Sequence, residues 1–216
     1  MQCRRILLIN PNISAATTAM MLGVARPLLP PGWTIEGRQA ERGPPMILDE
    51  AGLSLAAGEV AAIGLAAGPC DAIVVAAFGD PGVPALRSRL SVPVIGIGEA
   101  SMREAAGLGR FGIATTTPAL VGAMRAMAAR HGLAGRCTGI RVPDEDPLEL
   151  AGNPQRQDDA LLTAATRCIG DDGAAVVIIG GGPLSGSAAR LRQRTTVPVI
   201  EPVPAAIRAV LAALGA

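Results

Sequence analysis

The chain has 216 residues, half of them apolar and 17% charged, with a formal net charge of +1. Two Phe, one Trp and no Tyr leave no stacking platform for single-stranded nucleic acid, and 19 basic against 18 acidic residues leave no positive excess for a polyanion or an acidic membrane. The apolar content excludes a disordered chain, and no apolar run approaches the ~18 residues of a membrane span.

The opening Met1 to Ile9 imitates a secretory leader, but its apolar core, Ile6–Ile9, is far short of the ~7–15 residues such a segment needs. It reads as a buried first strand of a cytoplasmic protein. Continuous β-branched runs then recur at Asp71–Ala76, Val92–Ile97, Phe111–Ala114, Gly139–Val142, Ala174–Ile179 and Val197–Ile200. Continuous rather than alternating apolar runs predict parallel strands covered on both faces. Alanine-rich helical stretches fall between them, near 15–28, 54–67, 99–107, 117–131, 155–168, 184–194 and 203–214. Ser14 is placed to cap the first, and Thr117-Pro118 to open the fifth. The irregular segments Glu41–Gly52 and Asp144–Asn153 are candidates for loops over a cleft.

An internal repeat organises these units. Asp71-Ala72-Ile73-Val74-Val75 runs through Leu86-Arg87-Ser88-Arg89 to Ser91-Val92-Pro93-Val94-Ile95. Gly173-Ala174-Ala175-Val176-Val177 runs through Leu191-Arg192-Gln193-Arg194 to Thr196-Val197-Pro198-Val199-Ile200. The repeat predicts an α/β fold of two pseudo-symmetric Rossmann-like lobes with parallel sheets, residues 1–97 plus 200–216 forming the first and 98–199 the second. Ligands of open α/β sheets bind beyond the carboxyl ends of the strands, so facing lobes place the active-site cleft between them. The loops expected there are Asn10–Ser14, Ala76–Gly82, Gly98–Ser101, Thr115–Thr117 and Gly180–Gly186. They are rich in Gly, Asn, Ser and Thr, which bring backbone donors close to a small polar ligand.

At these loops the chain resembles the aspartate/glutamate/hydantoin racemase superfamily, in particular its hydantoin and allantoin racemase branch. The resemblance is carried by Ile9-Asn10-Pro11-Asn12, Ala77-Phe78-Gly79-Asp80-Pro81-Gly82, Gly96-Ile97-Gly98-Glu99-Ala100-Ser101 and Phe111-Gly112-Ile113-Ala114-Thr115-Thr116. It implies a racemase that needs no cofactor and no metal, acts on a small hydantoin-like or amino-acid-derived molecule, and is compatible with a homo-oligomer. In that family two thiols, one from each lobe, flank the substrate carbon. One removes a proton and the other returns one to the opposite face. The family pattern puts those thiols at the positions held here by Ala77 and Gly181. An alternative function is therefore a non-catalytic binding protein or inactive paralogue; a related decarboxylase is disfavoured by Gly181.

The remaining candidates follow from position. Cys3, Cys70, Cys137 and Cys168 each precede a strand and stand at the pole opposite the cleft, as reduced structural thiols. Asp80 is the carboxylate nearest the first vacant thiol position, either a weak catalytic candidate or a turn and helix-cap residue. Glu99 points into the cleft or caps the next helix. Asn10, Phe78, Gly79, Thr115, Thr116 and Gly182 complete the expected substrate contacts. Gly180-Gly181-Gly182-Pro183 with Glu201 imitates a dinucleotide fingerprint, but too few strands follow and Pro183 removes a donor. The single histidine, His131, suits a helix C-terminus, and with no clustered Cys it cannot build a zinc site.

Overall fold

The computed structural model describes residues 3–216; Met1 and Gln2, the first residues of the leader-like segment, lie outside the described residues. Each lobe is a four-stranded parallel sheet with the same strand order. In the first, β1 (Arg5–Asn10) lies between β2 (Thr34–Gln39) and β3 (Ala72–Val75), and β4 (Val94–Gly96) closes the far edge. In the second, β5 (Phe111–Ala114) lies between β6 (Cys137–Arg141) and β7 (Val176–Ile179), with β8 (Val199–Ile200) beyond. All of β1 beyond Arg5, and all of β3, β5 and β7, are buried, as expected for central parallel strands covered on both faces.

The helices start where the local chemistry satisfies their first N–H groups. Ser14 caps α1 (Ala15–Ala25) by accepting from the Thr17 N–H, and Asp49 caps α2 (Glu50–Leu65) through Gly52. A short α3 (Val83–Arg87) follows β3, and α4 (Ile97–Leu108) begins directly at the end of β4. Pro118 opens a 3-10 turn ahead of α5 (Val121–Arg130). Asp146 caps α6 (Pro147–Ala151), Asn153 caps α7 (Pro154–Gly170), α8 (Ser185–Leu191) follows β7, and α9 (Pro202–Leu214) ends on Gly215 in the left-handed region. Among the described residues no helix is long and apolar enough to cross a membrane.

The helices that follow the last strand of each sheet hold the lobes together. α4 packs on β5, β7 and β8 of the second sheet, whereas α9 packs on β3 and β4 of the first, and the two helices lie against each other. One continuous core therefore runs from Ile6, Leu8 and Val74 through Met102 and Ile207 to Phe111, Ile113 and Ile178. Smaller clusters lie on the outer face of each sheet.

Several elements differ from the sequence expectation, among them Val197–Ile200, which shortens to Val199–Ile200, and Gly139–Val142, which is found at Cys137–Arg141. β2 was not anticipated: its Thr-Ile-Glu-Gly-Arg-Gln run buries Ile35 alone, as suits an edge strand, and so shows no apolar run. Gly37 within it lets α1 approach closely, because a Cβ there would meet the Thr18 and Leu22 side chains. The segment Asp144–Asn153 contains α6 instead of an open loop. Finally, the expected strand Val92–Ile97 shortens to Val94–Gly96 because Ile97 already belongs to α4.

Phe111 is fully buried where the central core meets β5. Replacing it by Ala is expected to lower the unfolding free energy by about 3–5 kcal/mol, read as a lower urea midpoint at constant slope. A second expectation concerns acid. The Arg5 N–H and the Arg4 guanidinium hold Asp71 below the usual carboxylate range, and the Arg141 guanidinium does the same for Asp172. The unfolded chain binds these protons more readily, so both contributions are present above the ordinary carboxylate range and disappear as pH falls through the lowered values. Acid unfolding of Asp71→Asn should accordingly show a shallower loss of stability with falling pH than the native chain.

Candidate functional site

In both sheets the strand order reverses between the first and third strands, β1/β3 and β5/β7. At such a switch point, crossovers leave in opposite directions and open a crevice at the carboxyl ends of the strands. The two crevices face each other and enclose one cavity of about 50 Å³. Asn12 reaches it from beyond β1, Ala76, Ala77 and Phe78 from beyond β3, Thr115–Thr117 from beyond β5, and Gly180–Leu184 from beyond β7. Met46, Ile47 and Leu53, from the connection leading into α2 and from its first turns, cover it on one side, while Leu120 and Met124 close it from the start of α5.

Glycine sets how near the lobes come. A Cβ on Gly182 would lie 2.5 Å from the Ala76 carbonyl oxygen and 3.0 Å from Met21 Sδ, so this position accepts no side chain while the lobes keep their spacing. At Gly181 an added Cβ would meet only the flexible Leu184 side chain, at 3.0 Å. Gly181 is extended, with φ 172°.

The polar groups of the cavity divide into engaged and free. Thr115 Oγ1 donates to the Gly180 carbonyl at 2.8 Å and lies 3.2 Å from Thr117 Oγ1, so these hydroxyls tie β5 to β7. Thr116 is 1% exposed, and its Oγ1 is the one fully buried side-chain polar atom without a hydrogen-bond partner among the described residues. An unmet buried hydroxyl costs roughly 1–3 kcal/mol, which a ligand bond offsets. The Asn12 side-chain oxygen accepts from Asn10 Nδ2 and the Ser14 N–H, leaving its amide NH2 end to offer to a ligand.

Of the residues singled out in the sequence, the structure brings together Ala77, Phe78, Thr115, Thr116, Gly181 and Gly182. It places four others outside the lining. Asn10 spends its amide on Asn12, the Ser14 carbonyl and Thr18, and so shapes the turn that presents Asn12. Gly79 has φ 133° and packs under Leu53. The Asp80 carboxylate turns away and accepts the N–H groups of Gly98 and Glu99 at 2.8 and 2.7 Å, capping α4 and not the helix that follows Pro81. Glu99 stands beyond β4, an edge strand away from the switch point, among Arg87, Arg103 and His131. Burial opposes its ionisation, but the hydrogen bonds of Arg103 and Arg87 outweigh this and hold its carboxyl below the usual range. The segment Asp144–Asn153, with its helix α6, also contributes nothing to the lining, whereas Glu41–Gly52 contributes Met46 and Ile47.

No described cysteine reaches the cavity. Cys168 lies against Gly112, with its Sγ directed to the Ile113 carbonyl, and burial pushes its thiol up to about 12. Burial also raises Cys70 and Cys137, and Cys3 is exposed with its Sγ on the Gly32 carbonyl. His131 caps the end of α5 but is shifted down, chiefly by burial, so it carries less positive charge there than an ordinary histidine. No group of acidic, His or Cys side chains among the described residues is arranged to hold a metal.

Sequence reasoning placed Asn12 and Thr117 in lining loops without singling out either as a contact, and it missed the apolar wall. Leu120 and Met124 carried a readable signal, since a four-residue spacing directly after Thr117 puts both on one helical face. Met46-Ile47, an apolar pair in a Gly/Pro-rich loop, carried another.

A family profile described as Asp/Glu/Hydantoin racemase matches residues 6–210. The hydantoin racemase of Paenarthrobacter aurescens is 31% identical, covering 98% of this chain and 92% of the relative; that of Rhizobium meliloti is 34% identical, covering 98% and 89%. The solved allantoin racemase of Pseudomonas fluorescens superposes with a TM-score of 0.92 at 32% identity, covering 98% of this chain and 92% of the other.

The glycine geometry makes a discriminating expectation. Gly182→Ala should destabilise the fold by about 1–3 kcal/mol, because backbone must move, whereas Gly181→Ala should fall well short of that in the same denaturant titration.

Proposed function

The chain belongs to the Asp/Glu/hydantoin racemase family, and on that premise we propose that it binds a small uncharged molecule, hydantoin-like or derived from an amino acid, in the inter-lobe cavity without performing two-base racemisation. One observation carries the reading: among the described residues, none that lines the cavity ionises. Racemisation at a carbon acid needs a base within hydrogen-bonding reach of the reacting proton and an acid on the opposite face. At the two family thiol positions stand a methyl group, Ala77, and a hydrogen, Gly181. Threonine hydroxyls and an asparagine amide are not bases at neutral pH, and Asp80 is committed to α4.

The same lining supports the choice of ligand. A carboxylate taken into the cavity would meet no cation, and an unpaired buried charge costs several kcal/mol. A neutral cyclic amide or imide matches the sites better. Its carbonyl oxygens accept from Thr116 Oγ1 and Asn12 Nδ2, while its ring rests against Phe78, Leu53 and Met124. Cofactor independence, a cytoplasmic location and a division at 1–97 plus 200–216 and 98–199 belong to this reading.

Solvent deuterium exchange at the α-carbon of 5-substituted hydantoins, allantoin and free amino acids tests it, alongside calorimetric binding of the same compounds. The native chain should bind a hydantoin and show no exchange above the uncatalysed rate. Ala77→Cys combined with Gly181→Cys should create measurable exchange, because Leu184 can yield to the new Cβ. Exchange by the native chain would overturn the non-catalytic reading. Failure to bind, with no exchange in the double variant, would overturn the ligand class.

A further inference from the structure

Asp80 has an arrangement that ligand binding does not explain. It is a non-glycine residue at φ 52°, and its side chain is buried at the end of the turn whose earlier residues, Ala77 and Phe78, wall the cavity. Each carboxylate oxygen takes one N–H from the first turn of α4, from Gly98 at 2.8 Å and Glu99 at 2.7 Å. The helix has no cap of its own: its N-cap residue is Gly96, and a Cβ at Gly96 would overlap the Asp80 carboxylate. Because α4 is seated on the second sheet, this single side chain fastens a first-lobe turn to a second-lobe helix.

The second lobe shows what the arrangement is for by lacking it. Counted from the ends of β3 and β7, the counterpart of Asp80 is Leu184. Through the β3–β4 and β7–β8 registers, Gly98 and Glu99 correspond to Val203 and Pro204. Where the carboxylate is missing, one of the two N–H groups it would receive is missing too, since proline has none. The carboxylate and one of its two donors are absent together from the second lobe.

We propose that Asp80 is a proton-dependent clasp, which as a carboxylate holds both α4 amides and fixes the Ala77–Phe78 wall, and as a neutral acid releases one amide and lets that wall shift. A protonated oxygen is a weaker acceptor than a carboxylate oxygen and carries a hydrogen of its own, so one of the two charge-assisted bonds weakens on protonation. The charged groups around it are Glu99 and Arg103 on α4, Arg87 on α3, and His131 at the end of α5. Burial pushes the Asp80 carboxyl up to about 7 against the pull of the Glu99 and Gly98 amides, with Glu99 raising it further and Arg87 lowering it. The clasp is therefore closed above neutrality and opens below it. Glu99, held low, stays ionised through this range, and His131, shifted down, gains its proton at lower pH.

The inference goes beyond the binding role and is tested without ligand. In the isotopically labelled full chain, the Asp80 carboxyl carbon and the Gly98 and Glu99 amides are followed by NMR across about pH 5 to 9. All three should shift together with a midpoint near neutrality, and the Ala77 and Phe78 amides should shift with the same midpoint. The inflection should persist in His131→Gln and vanish in Asp80→Asn, where asparagine tolerates the left-handed backbone. Three results would each overturn the proposal: a flat Asp80 carboxyl carbon over this range, an inflection lost in His131→Gln, or one that leaves Ala77 and Phe78 unmoved. The native and His131→Gln titrations decide the matter even if Asp80→Asn does not fold.

Discussion

Backbone touches backbone where the two lobes meet: the Cα of Gly182 lies so close to the Ala76 carbonyl that no side chain fits between them. The rest of the molecule is compatible with that approach. Four central strands are buried on both faces, and their identical order gives each lobe a switch point whose loops reach the same cavity. The helices after β4 and β8 lie against the opposite sheets, so a single core bridges the lobes and keeps their spacing. A parallel sheet cannot end in hairpins, and each strand must hand over to a loop and a covering element. The cavity is formed from the loops that this rule requires.

Charge has been excluded from that cavity and concentrated beside it. Asp80 and Glu99 follow strands of the same sheet, yet both are directed to the first turn of α4 and its guanidinium neighbours. A carboxylate is stable in a buried setting when donors surround it, and the orphan N–H groups of a helix start supply them. The cavity lining offers an unmet hydroxyl, an amide and apolar walls, a combination suited to holding a neutral polar molecule. Proton transfer demands an ionisable group at the ligand, and capping demands one away from it. In this chain the second demand has taken the carboxylate closest to the site.

Much of the architecture was legible in the sequence because burial on both faces produces unbroken β-branched runs, and because the repeat places them twice in one order. β2 escaped because an edge strand with one buried residue has no such pattern. Within the site, small residues after strand ends identified the loops that hold Ala77, Thr116, Gly181 and Gly182, and the family resemblance singled out Ala77 and Gly181 within them. Asn10 and Asn12 could not be ranked that way. Both lie in the same turn, and only the hydrogen bonds show that one builds it while the other faces the cavity. The direction of Asp80 was equally hidden, because its partners come 18 and 19 residues later in the chain.

The twofold likeness of the lobes fails at informative places. Chemistry that takes a proton from one face and returns it to the other needs equivalent groups in both lobes, whereas holding a ligand does not. At Ala77 and Gly181, the pair that the family resemblance implies as thiol positions, the lobes carry two residues without functional groups. At the capping positions they differ strongly, Asp80 against Leu184 and Glu99 against Pro204. The first lobe keeps a polar junction at the start of α4, and the second starts α9 with Pro202 and Pro204, which remove the need for a cap. A fold whose symmetry suits two equivalent bases thus has its sharpest asymmetry in the residues that fasten the lobes, with a carboxylate clasp at the start of α4 and none at the start of α9.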